Sequence, residues 1–311
     1  MIDTVVSVKL PIGEMLRIKR NRLMPDHVTG EEKRICLVSG IYGDELGGQY
    51  ICGEIIRRIK AEFHNLTGIV DVYPAVNPLG LDARTRAVPI SDIDYSSAFP
   101  GDINGGLEDY TAAKLLDIKG ASCCIDIHSS NIFLQEVPQV RLNDDYDEML
   151  LHLAKYMNTD LVWIHPSQTV NEGSLAYALN QMGIPTMVTE SGSAFRIRYE
   201  YCRQIIDGIF SVMAELGIWK GKTNGKTDVP FINEDKICYL NCEFSGLFVS
   251  YKRLKDRVKK GEIIGIIQNP LMGATEEEVI APVDGILMTL REHPSVAEGS
   301  LVARVIGGGN L

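Results

Sequence analysis

Between about residues 33 and 220, short apolar runs rich in β-branched residues alternate with stretches of helical periodicity, and this alternation constrains the fold more than any other feature. Arg34 to Gly40 (RICLVSG) reads as a buried strand ending in a glycine turn. It is followed by a helix in which Leu46, Tyr50, Ile51, Ile55, Ile56 and Ile59 recur at helical spacing. A second strand, Gly68 to Asn77, stops at Pro78. Further along come a helix over Tyr110 to Gly120, a strand over Ser122 to Ser130 and a helix over Asp147 to Met157. The strand Asp160 to Pro166, the helix Ser174 to Gly183, the strand Ile184 to Gly192 and the helix Glu200 to Gly217 complete the series. Such a chain is an α/β protein whose mostly parallel mixed sheet is flanked by helices on both faces.

The texture changes after the polar, breaker-rich stretch 221–230. Ser245 to Tyr251, Glu262 to Gln268, Glu278 to Leu290 and Ser300 to Gly307 read as strands separated by turn residues, with no long helix. The expected organisation is an α/β domain over residues 1–225 and a small all-β domain over 226–311, the latter carrying one internal repeat (KKGEIIGII and AEGSLVARV). Ile90 to Gly106 is a long aperiodic loop, which in a compact domain usually signals function. Forty-one acidic against 31 basic side chains, a net charge of -10, argue against a nucleic-acid partner. There is no apolar run long enough to span a membrane and no signal-peptide core near the N-terminus. Seven cysteines are too sparse for a disulfide scaffold, so the expected compartment is the reducing cytoplasm.

In an open parallel sheet, ligands bind beyond the carboxyl ends of the strands. Glu45 follows the turn after the first strand, His128 ends Ser122 to Ser130, and Glu190 lies near the end of Ile184 to Gly192. Each alone has an ordinary explanation: a carboxylate at a helix start, a rim histidine, a turn cap. Together they form a plausible metal site with a carboxylate left over for proton transfer.

The phrases GIYGDE (Gly40 to Glu45), VNPLGLDARTR (Val76 to Arg86), FPGD (Phe99 to Asp102), DIHSS (Asp126 to Ser130) and TESG (Thr189 to Gly192) occur in this order. Together they resemble the succinylglutamate desuccinylase/aspartoacylase family, which has a zinc carboxypeptidase-like fold. The segment from Val279 to Val305 is similar to the lipoyl-like β-domain that follows the catalytic domain in many members. The resemblance implies zinc, or another divalent metal, held by Glu45 and His128 with Asp126 supporting the histidine from behind. It also implies Glu190 as general base and Arg86 as the group that polarises the scissile carbonyl.

Two positions depart from the family pattern. Tyr42 stands where the family has its first zinc histidine, and a neutral phenol is a poor ligand at pH 7. Ser96 and Ser97 replace an asparagine and a carboxylate-clamping arginine, and hydroxyls cannot make that bidentate grip. Arg84, Arg196 and Arg198 are candidate substitutes for the clamp, and His165 or Asp44 for the missing ligand. The lone Cys238/Cys242 pair does not make a zinc site, and the β-domain has no lysine at the lipoyl position, where Asp284 and Gly285 stand. The expected activity is metal-dependent hydrolysis of an amide in a small N-acylated amino compound. The alternative is a catalytically silent homologue that binds a small molecule or pairs with a related subunit. A small-molecule partner, no membrane or nucleic acid, and self-association complete the expectation.

Overall fold

The computed structural model describes residues 1–166 and 172–308. The α/β part contains strands β1 (Ile2–Lys9), β2 (Met15–Leu23), β3 (Arg34–Ser39), β4 (Ile69–Tyr73), β5 (Cys123–His128), β6 (Leu134–Asn143), β7 (Leu161–His165) and β8 (Thr186–Gly192). Its helices are α1 (Gly47–Ala61), α2 (Pro78–Ala83), α3 (Leu107–Leu115), α4 (Glu148–Ala154), α5 (Leu175–Gln181) and α6 (Tyr199–Glu215). The C-terminal strands are β9 (Phe231–Asn233), β10 (Ile237–Asn241), β11 (Gly246–Ser250), β12 (Arg257–Val258), β13 (Ile263–Asn269), β14 (Ala274–Ile280), β15 (Gly285–Arg291), β16 (Ser295–Val296) and β17 (Leu301–Gly307).

The main sheet runs β1-β2-β4-β3-β5-β8-β6-β15-β17-β10. Its centre, β4-β3-β5-β8, is parallel as the sequence predicts, and these strands are almost wholly buried. Antiparallel pairing enters at β1-β2, β2-β4 and β8-β6, while β7 pairs with β6 in parallel, so the α/β part is a mixed sheet as expected. The reason lies in the connections: the link 129–133 between β5 and β6 is too short for a helical crossover, so β6 runs back against β8. One face of the sheet is covered by α1 and α6, whose Ile51, Ile55, Ile59, Ile205, Ile209 and Phe210 interlock with Leu37, Val72 and Ile125. On the other face Ala112 and Leu115 of α3 and Leu175 and Leu179 of α5 pack on Cys36, Val38 and Cys124. Asn77 caps α2 by accepting from the Gly80 amide at 2.8 Å, with Pro78 as its first residue.

The C-terminal strands enclose their own apolar cluster, with Phe248, Ile264, Ile267, Leu287 and Val302 among its members. They are also continuous with the main sheet. One edge of β6 pairs with β15 through Leu134 to Glu136, then with β7 through Gln139 to Asn143. Val137, Trp163, Ile237, Met288 and Ile306 fill the junction. Among the described residues no helix is long and apolar enough to cross a membrane.

Asp71 on β4 has a side chain with 0% exposure, and it takes a bidentate pair from Arg22 at 2.7 and 2.6 Å, with Arg34 at 3.5 Å and Arg20 at 3.6 Å. Removing the carboxylate leaves the partly buried Arg22 and Arg34 guanidinium charges without their counter-ion, while Arg20 keeps Asp3. Asp71→Ala is therefore expected to cost about 3 kcal/mol or more of folding stability, measured by urea unfolding. A loss below about 1 kcal/mol would contradict this account of the β2–β4 edge.

Candidate active site

The turn after β3 brings the first acidic group inward. Gly40 sits at φ +70, where an added Cβ would meet the Gln49 side chain and the backbone of Pro74 and Ala75. Gly43 donates its amide to the Arg86 carbonyl at 3.3 Å, and a Cβ there would overlap the Gly80 backbone. This close approach places the loop carrying Glu45 beside the loop carrying Arg86. Glu45 is 3% exposed, and its Oε2 accepts from the Ser129 amide at 2.9 Å and lies 3.0 Å from His128 Nδ1. Its other oxygen takes the Arg86 guanidinium at 3.3 Å.

His128 closes β5 directly opposite Glu190 on β8. Asp126, two residues earlier and so on the same face of the strand, brings its carboxylate to 3.2 Å from His128 Nε2. The imidazole is thus held between two carboxylates. Burial pushes it down, but Asp126 and Glu45 outweigh burial and hold it well above the ordinary histidine value. Burial also raises the Glu45 carboxyl, against the opposing pull of His128. Tyr42 lies beside this pair: its ring is 5.4 Å from the His128 ring, and Arg86 covers its face at 3.3 Å. Burial raises the phenol above its ordinary value, so it stays protonated at neutral pH, and its hydroxyl bonds with Ser96.

Glu190 is largely buried and paired with Arg141 of β6 at 2.6 Å. Burial raises its carboxyl to about 7; Arg141 pulls it down, while Glu136 and Glu45 push it further up. Glu45, His128, Glu190, Tyr42, Arg86, Asp126 and Ser96 all line one cavity of about 740 Å³. Ser96 reaches it from a single turn in the 90–106 loop, where Asp94 accepts its amide at 2.8 Å.

The remaining candidates lie outside the cavity wall, His165 excepted. Ser97 is exposed and donates its hydroxyl back to the Asp94 carbonyl, so it does not line the cavity. Arg84 is an exposed left-handed residue closing α2, and Arg196 is exposed and turned to the Phe195 carbonyl; neither forms the cavity wall. Arg198 is taken by Glu292 at 2.6 Å. Asp44 is buried but outside the cavity lining. His165 lines the cavity, stacked on Trp163 at 4.1 Å, and burial with Arg141 and Arg304 nearby lowers it to about 3. Arg141, the direct partner of Glu190, has no counterpart among the candidates read from sequence. The available signal was the apolar Val137, Val140 and Leu142 around it, partly hidden by Pro138.

Comparison with known proteins places these features in a family. The family model described as succinylglutamate desuccinylase/aspartoacylase catalytic domain matches residues 31–216. N-alpha-acetyl-L-2,4-diaminobutyric acid deacetylase of Halomonas elongata is 26% identical over 286 residues, covering 88% of this chain and 82% of that protein. A solved succinylglutamate desuccinylase/aspartoacylase from Rhodobacter sphaeroides superposes with a TM-score of 0.82 at 22% identity, covering 100% of this chain and 96% of the other. The product-bound ectoine utilization protein EutE (DoeB) from Ruegeria pomeroyi gives a TM-score of 0.84 at 21% identity, covering 99% and 95%. These two structures share the fold of this chain.

The two-carboxylate clamp on His128 is directly measurable. In chelator-treated protein, Asp126→Asn should lower the His128 imidazole pKa toward the ordinary histidine range, followed by NMR titration of the ring nitrogens. An unchanged or higher value would show that Asp126 does not hold the ring.

Proposed function

The chain belongs to the succinylglutamate desuccinylase/aspartoacylase family, and from that premise we propose that it is a metal-dependent deacylase acting on the amide of a small N-acylated amino compound. The observation that carries the proposal is the convergence of Glu45 and His128, donor atoms 3.0 Å apart, with Glu190 in the same cavity. The donor chemistry fits a divalent cation held by two protein groups, with Asp126 orienting the histidine through its far nitrogen. Tyr42 does not complete a three-anion or three-imidazole set, since its phenol stays neutral. Among the described residues no cluster of three His, Cys, Asp or Glu side chains supplies a third protein ligand. Zinc is the first candidate for the cation, which when bound would lower the pKa of an attacking water.

The chain's own groups supply the rest. Glu190, at about 7, is poised to accept the water proton at its carboxylate and to return it to the departing amine nitrogen. The products are then a free carboxylate and an amine. Arg86 stands at the cavity wall beside Glu45, where its guanidinium would hold the developing negative charge of the carbonyl oxygen. Ser97 stands at the position the resemblance gives to the clamping arginine and lies outside the cavity wall, where Ser96 offers only a hydroxyl, and this favours a substrate with less negative charge at that end. The deacetylase activity in the name of the Halomonas relative is compatible with this choice. All seven cysteines are free thiols, which supports a cytoplasmic setting, and self-association remains part of this reading. A second reading, a catalytically silent member that binds a small molecule or a related subunit, draws on Arg86 covering the neutral Tyr42 ring.

The test is a panel of N-acyl amino acids, including N-acetyl-2,4-diaminobutyrate, assayed with zinc-loaded protein for release of free amine. Turnover is expected, abolished by chelation and reduced by about 10²-fold or more in Glu190→Gln. Because only the deprotonated base accepts a proton, kcat/KM should rise with pH through about 7. Absence of turnover on every member of the panel would favour the silent homologue.

A further inference from the structure

The group that pairs with Glu190 is itself held by a residue from the far end of the chain. Arg141 donates Nη1 to Glu190 at 2.6 Å and Nη2 to Glu136 at 2.7 Å. Glu136 is 2% exposed, and its second oxygen accepts from Arg304 Nη1 at 2.7 Å, across 168 residues of sequence. Arg304 also donates to the Thr289 hydroxyl at 3.2 Å, and Thr289 is the β15 residue registered against Glu136 where the C-terminal strands join β6. The Trp163 ring lies 5.1 Å from the Arg141 guanidinium and 5.3 Å from that of Arg304, so indole and carboxylate bridge the same two cations. Gln139 adds its amide to Glu136.

The result is a linear run of alternating charge, Arg304–Glu136–Arg141–Glu190, from β17 to the cavity. Each inner member joins two oppositely charged partners, with Gln139 as a further neutral partner of Glu136, so the charge run holds its geometry while both ends are present. We propose that Arg304 is a positioning residue for Glu190, so that one side chain of the C-terminal strands serves the catalytic site. Without the Arg304 guanidinium, Glu136 keeps one cationic partner. Its freed oxygen then draws Arg141 into a two-pronged pair and away from Glu190. The carboxylate that must meet the reacting water would lose the contact that sets its direction, and small displacements of such groups are costly to rate.

This inference rests on Glu190 acting as the base, and its test separates the two claims. In zinc-loaded full-length protein, Arg304→Met should lower kcat about tenfold or more with KM changed by less than about threefold, while Arg304→Lys restores part of the loss. Val302→Ala, a buried β17 substitution outside the run, serves as the control for general weakening of the strand and should leave kcat near wild type. A crystal structure of Arg304→Met should show Arg141 withdrawn from Glu190. If kcat in Arg304→Met matches Val302→Ala, or the 2.6 Å contact to Glu190 persists in the crystal, the positioning role is overturned. Should the wild-type enzyme turn over nothing, the deacylase reading fails while the crystallographic comparison still decides the relay.

Discussion

The in-register pairing of β5 with β8 is the constraint on which the site depends. It sets His128 opposite Glu190 and Asp126 opposite Val188, while the pairing of β3 with β5 sets Val38 beside Asp126. Because side chains alternate faces along a strand, a slip of one residue would turn His128 and Asp126 together away from the cavity. The register is protected by what lies on both faces of these strands. Ile125 and Ile127 pack under α1 and α6, while Cys124 and Val38 pack against the opposite helices, so the slipped alternative would bury polar groups and expose apolar ones. The catalytic geometry is therefore an outcome of core packing as much as of local chemistry.

Around that frame the site is an exchange of charge among few groups. Glu45 is shared by an amide, an imidazole and a guanidinium, and Arg86 is shared by Glu45 and the face of Tyr42. Glu190 is held apart from this cluster by its own cation, Arg141. Burial raises both carboxyls, and in the proposed mechanism Glu45 does the holding while Glu190, at about 7, moves the proton.

Much of the architecture was legible in the sequence because the central strands are continuous apolar runs and the flanking helices carry apolar residues at regular spacing. Glu45, His128, Glu190, Arg86 and Asp126 were readable because they fall at strand ends or inside short phrases of distinctive order. β1 and β2 were not read as strands, since their alternation of charged and apolar residues belongs to an antiparallel pair with one face in water. β6 was missed as well: Pro138 and its polar neighbours disguise a strand whose two edges serve three partners. With β6 unseen, Arg141 and Glu136 had no assigned place. The contact between Glu136 and Arg304 is a tertiary fact that no local pattern encodes. Arg84 and Arg196 are candidates for their place beside the expected cavity mouth and Ser97 for its place in the family phrase, and all three side chains lie exposed outside the cavity wall.

The central claim is that Glu45 and His128 together hold one divalent cation with Tyr42 at the position the resemblance gives to the first zinc histidine. Calorimetric titration of metal-free protein with zinc addresses it most directly. The account predicts one equivalent bound per chain, with binding lost in Glu45→Gln and in His128→Ala. Uptake that survives both substitutions, or no uptake by the wild-type protein, would contradict it.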